Sequence, residues 1–156
     1  MASTGLDTFD STIQETNVWL KGMMQELATD NRRMAYDALR GVLHALRDRI
    51  GPENAVHLGA QLPMLVRGLY YEGWRPAGTP THERHLDDFL DHVAYMLPRN
   101  TNLDPGDSTK ATFKVLAHYV DPGEIVKVIR LLPREVRALW PESVVDEAEY
   151  RDGQLR

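Results

Sequence analysis

The densest set of residues able to do chemistry is "THERHLDDFLDH", spanning 81–92. His85, Asp88 and His92 stand at i, i+3 and i+7 within it, so on a helix they share one face. Imidazole and carboxylate together are ligands for zinc or another divalent ion. A fourth ligand is missing from the pattern. Leu86, Phe89, Leu90 and Val93 account for the same helix as an amphipathic one with a polar side. His82 and His85 make an HxxH pair, which lacks the i, i+4 spacing and intervening glutamate of a zinc protease. The chain also lacks a nucleophile elbow, a Walker A loop and the Gly-x-Gly-x-x-Gly pattern. Glu53 with His57, or Asp48 with His118, are acid–base pairings that no motif singles out.

Bulk properties narrow the field further. The chain has 156 residues, 42% of them apolar and 26% charged, with a net charge of −5. That balance suits a globular core and disfavours a nucleic-acid binder, which usually carries a basic surplus. There is no cysteine, so thiolate chemistry and disulfides are excluded and a reducing cytosol fits. The N-terminal residues show no secretory signal, and no apolar run is long enough to span a membrane. Arg33, Arg40 and Arg47 recur every seven residues on one helical stripe, interleaved with Asp30, Asp37 and Asp48. Such mixed charge predicts the solvent face of an amphipathic helix.

The elements that position these groups are helical and recur. Leu62-Pro63 returns as Leu132-Pro133, an offset of 132 − 62 = 70. At that offset Trp19 matches Phe89, Met23 matches Val93, Leu43 matches Phe113 and Leu46 matches Leu116. Val66, Arg67 and Tyr70 match Val136, Arg137 and Trp140. The apolar register predicts an all-α helical bundle of two tandem pseudo-symmetric copies of a four-helix unit, about 9–73 and 85–140. In this plan 74–84 is a linker or ordered crossover, 141–156 a polar, loosely packed tail, and 1–156 one domain. Within the first copy Asp30 is the expected cap of the helix ending at Gly51-Pro52, with short helices over 52–61 and 63–72. Asp121-Pro122-Gly123-Glu124 offers an N-cap acid, a proline at N1 and a glutamate at N3.

The repeated "LPMLVRGLY" and "LPREVRALW" place Arg67 and Arg137 beside equivalent aromatics. Arginine near a helix end favours the dipole and lies over the core edge. Only "YEGWRP" stands outside the repeat, so Arg67, Tyr71 and Trp74, with Arg137, are the expected surface for a protein partner or self-association.

The stretch "ALRGVLHALRDRIGPENAVHLGAQLPMLVRGLYYEGWRP" resembles the core of an uncharacterised bacterial family, domain of unknown function family 2267. The resemblance runs from about Trp19 to Trp140, and "AQLP" and "GWRP" are its more specific pieces. It implies a small all-helical bacterial cytosolic protein and brings no reaction, cofactor or catalytic residue. The second copy departs from the family pattern at a longer helix-breaking "LPRNTNLDPGD", which leaves the start of its second helix open.

Overall fold

The computed structural model describes residues 3–154, so the first two residues and the last two of the expected tail lie outside the described residues. Among the described residues the chain forms only helices: α1 (Asp7–Glu26), α2 (Arg32–Ile50), α3 (Pro52–Gly59), α4 (Met64–Tyr71), α5 (Leu86–Met96), α6 (Pro105–Tyr119), α7 (Pro122–Leu131), α8 (Arg134–Arg137) and α9 (Glu142–Gln154). A single 3-10 turn, Pro76–Gly78, lies between α4 and α5.

Local signals explain the boundaries. Asn31, not Asp30, caps α2: its side chain accepts the Met34 N–H at 3.2 Å. Asp104 accepts from Asp107 N at 2.8 Å, so the departure in the second copy delays α6 to Pro105. Asp121 caps α7 in the same way, with Pro122 at N1. Pro63 stands one place before α4, where its missing N–H costs nothing. The polar stretch after Trp140 is not a loose tail. It forms α9, which packs along α7 and buries Ala148 completely.

α2 is the axis of the fold. It packs against α1, α3, α4, α5 and α6. Residues 41–47, "GVLHALR", are all buried, so this helix has no solvent face over its middle turns. A helix enclosed all round must be apolar or have its polar groups satisfied. Gly41 permits the closest approach: a Cβ there would stand 2.8 Å from the Leu97 side chain. The end of α5 therefore lies directly on α2. Phe89, Phe113 and Trp140 extend the core, with Phe113 and Trp140 stacked at 4.0 Å.

Tyr70 is fully buried, and its hydroxyl donates to the Ala55 carbonyl at 2.7 Å. Tyr70→Phe is expected to cost about 1–2 kcal/mol, the worth of one buried hydrogen bond. Urea denaturation checks this, and an unchanged midpoint would show the hydroxyl to be idle.

Candidate functional site

Three segments converge on one side of α2. They are the C-terminal half of α2, the crossover over 72–83, and the end of α5 with the turn after it. Between them lies an open cleft of about 1000 Å³, lined by Arg40, His44, Arg47, Glu72, Arg75 and Arg99 among others.

The crossover is ordered by polar contacts with α2. Arg47 is only 3% exposed and is the anchor. Its Nη1 donates to the carbonyls of Tyr70 at 2.8 Å and Glu72 at 3.0 Å, while its Nε donates to Asp48 at 2.9 Å. The last carbonyls of α4 are thereby satisfied by a side chain from another helix. Gly73 takes φ +70, which turns the chain so that Trp74 folds back. Trp74 stacks on Tyr71 at 5.3 Å, and Tyr71 sits edge-on to Tyr70 at 5.0 Å. Further along, Thr81 N donates to the Asp48 carbonyl at 2.9 Å, and Arg49 donates to the Glu83 carbonyl at 3.1 Å.

Beneath the crossover His92 lies between two carboxylates. Its Nδ1 is 2.6 Å from Glu83 and its Nε2 is 3.7 Å from Asp48. These are charge contacts more than aligned hydrogen bonds: Nδ1 is close to Glu83 in distance but off-line in angle. Burial alone would push the imidazole toward neutrality. Asp48 and Glu83 outweigh burial and lift the His92 pKa to about 9. Burial would likewise raise Glu83, yet its contacts, His92 foremost, hold it at about 2. The result is an imidazolium clamped between crossover and α2.

His44 behaves oppositely. It is buried, and its Nε2 lies 2.7 Å from the Leu69 carbonyl, so Nε2 carries the proton. Burial leads the shift that lowers its pKa, and the ring is neutral.

The expected metal residues do not act together. His85 lies beside Glu135 at 3.6 Å, Asp88 is exposed, and His92 is taken by Glu83 and Asp48. Among the described residues no group of three His, Cys, Asp or Glu is arranged to hold a metal ion. At His92 the reason is geometric. Its two nitrogens face different carboxylates, so the three side chains do not converge on one point. Asp48 does meet a histidine, but it is His92 and not His118, which packs edge-on against Tyr119.

The expected partner residues are also accounted for. Arg67 donates to the carbonyls of Gly59 at 2.9 Å and Leu62 at 3.0 Å. Arg137 donates to those of Leu132 at 3.0 Å and Arg130 at 2.9 Å. Each closes the carbonyl end of the helix before its own. Tyr71 and Trp74 are half-buried against the core.

The model of a family described as uncharacterized conserved protein, DUF2267, matches residues 16–139. The chain belongs to the DUF2267 family. No curated protein matches it. The DUF2267 match includes every arginine of the cleft and stops short of α9.

The arginines of the cleft are what sequence reasoning missed. Arg47 belongs to the expected solvent stripe, yet it is buried. Arg40 pairs with Glu72 at 3.2 Å across the cleft mouth. The side chains of Arg75 and Arg99 are exposed and make neither a hydrogen bond nor an ion pair with any described residue. Heptad spacing placed Arg33, Arg40 and Arg47 on one stripe but said nothing of Arg75 and Arg99, which reach the cleft from elsewhere. No helix among the described residues is long and apolar enough to cross a membrane.

Proposed function

We propose that the chain is a non-catalytic helical interaction module that takes a segment of a protein partner into the arginine-lined cleft. The observation that carries this is the gathering of cations: in a chain of net charge −5, Arg40, Arg75 and Arg99 line one open groove, the last two with side chains unpaired among the described residues. Tyr95, 83% exposed, adds an aromatic contact on the same lining. Interface anchors are typically Arg and Tyr. The buried polar groups of the cleft, Arg47 and His44, and the half-buried His92 beneath the crossover each serve a structural contact, which favours binding over catalysis. In this view Tyr71 and Trp74 hold the crossover in place, and Arg67 and Arg137 close helix ends, so that the contact residues are the cleft arginines.

The module is further proposed to be two tandem copies of one four-helix unit. Three observations support that. The N-termini of α3 and α7, and of α4 and α8, are separated by the sequence offset of 70. Arg67 donates to Leu62 and Arg137 to Leu132, the equivalent carbonyls. The order of buried and exposed positions over 61–70 is the same as over 131–140. The lack of cysteine fits a cytosolic setting.

A peptide-display selection on the immobilised chain tests the interaction, with Arg75→Glu/Arg99→Glu as counter-target. Peptides are expected that bind the wild type and lose about tenfold or more on the variant. A selection that enriches none, or enriches both targets equally, would overturn the proposal. So would sedimentation showing self-association abolished by the same substitutions, which would assign the cleft to a second copy.

A further inference from the structure

We infer that the segment received by the cleft is acidic and that Glu72 is its built-in competitor. This rests on the interaction proposed above and specifies the chemistry of the same cleft. Two acids line the groove, Asp48 and Glu72. Asp48 is committed: it is 13% exposed and faces Arg47 and His92. Glu72 differs. Its side chain is 59% exposed, and among the described residues its carboxylate pairs with Arg40 alone, at 3.2 Å. Its backbone is nevertheless held, because Arg47 donates to the Glu72 carbonyl at 3.0 Å. A fixed main chain thus presents an exposed carboxylate to an arginine at the mouth of the groove.

That pair has the form of a ligand contact made internally. Guanidinium is suited to paired N–H bonds with carboxylate. Arg75 and Arg99 offer the same chemistry with no acid paired to them among the described residues. A partner carboxylate at Arg40 must displace Glu72, while Arg75 and Arg99 are open to further carboxylates. Exposed ion pairs are weak, so the displacement is readily reversed. Glu72 then acts as a low-cost gate that favours segments with several acids over a single stray carboxylate.

The test is fluorescence anisotropy at low ionic strength, using a short labelled peptide rich in glutamate and its glutamine counterpart. The glutamate peptide is expected to bind and the glutamine peptide not. Glu72→Gln should tighten binding about two- to fivefold, the range a displaced surface ion pair accounts for. Arg40→Gln should weaken it, and Glu72→Gln should bring no gain in the Arg40→Gln background. These side chains lie at the cleft mouth, and thermal melts report whether the fold is kept. Equal binding of both peptides, or an affinity untouched by Glu72→Gln, would overturn the inference. Neutral peptides that bind the wild type and lose Arg75→Glu/Arg99→Glu would leave the interaction surface standing while removing the acidic ligand. Failure of every peptide would remove both.

Discussion

Arg47→Ala is expected to cost about 3–4 kcal/mol, the scale on which breaking a buried charged contact by removing one partner destabilises a protein. Three acceptors lose their donor at once: the Tyr70 and Glu72 carbonyls and one side of Asp48. Typical domains are stable by about 5–15 kcal/mol, so this single change removes a large share. Urea denaturation followed by circular dichroism measures it. Arg47→Met separates the causes. It keeps much of the buried stem but supplies no donor, so it should fall nearly as far as alanine. If methionine restores wild-type stability, packing and not hydrogen bonding holds the end of α4. Arg47→Lys should lie between, since one ammonium cannot span the positions a guanidinium fork reaches. Because Arg47 ties α4 to α2, amide exchange over 71–75 should accelerate more than exchange in α1.

His92 gives the second large effect, and it depends on pH. Its pKa is raised from 6.5 to about 9 in the folded chain. A raised pKa means that the folded state binds the proton more tightly, so the stabilisation is complete below pH 6.5 and is lost as pH rises through about 9. The loss is at most about 3 kcal/mol. Glu83 acts at the other limit. Its pKa falls from 4.5 to about 2, so its contribution is present above 4.5 and disappears as pH falls through 2. The pair therefore contributes fully between about 4.5 and 6.5 and declines on the alkaline side, while His44, whose pKa burial lowers, takes stability away as pH falls below 6.5. The two groups share one contact, so their effects do not add. His44, held neutral by burial, does not contribute to the alkaline decline. His92→Ala should destabilise by about 2–3 kcal/mol near neutral pH, because Glu83 and Asp48 lose the cation between them. The variant should also lose the slope of stability between pH 6.5 and 9. Thermal melts across that range decide the matter, and a variant that keeps the slope would place its source elsewhere.

Much of the scaffold was legible from residue order alone. Proline at the start of α3 and α7, the cap at Asp121, and the i, i+3/i+4 rows are local signals acting over a few residues. Exceptions have local causes too. Asn31 wins the α2 cap from Asp30 because its carbonyl oxygen is the group within reach of Met34 N. α9 reads as a loose tail in the sequence because it is polar on most sides, with only Ala148 fully buried among its described residues, and its order comes from α7.

The site was much less legible. The run "GVLHALR" holds a histidine and an arginine, and mixed charge along α2 suggested a solvent face. In the fold α1, α5, α6 and the crossover surround that helix, and Arg47 is buried because carbonyls from α4 come to meet it. Those carbonyls leave no trace in the side-chain pattern. Likewise the spacing of His85, Asp88 and His92 suggested a shared ligand set, but Glu135 and Asp48 claim the histidines from distant positions, and Glu83 reaches His92 from the crossover side of the same stretch.

By itself the order of residues determined where helices start and stop and which positions are apolar, since capping, proline chemistry and periodicity act within a turn or two of chain. Which charges are buried, which acid meets which base, and which arginines gather around one cleft were decided only by the tertiary structure. Those facts depend on groups that the chain brings together from α2, the crossover and the end of α5, and on backbone acceptors that every residue carries alike.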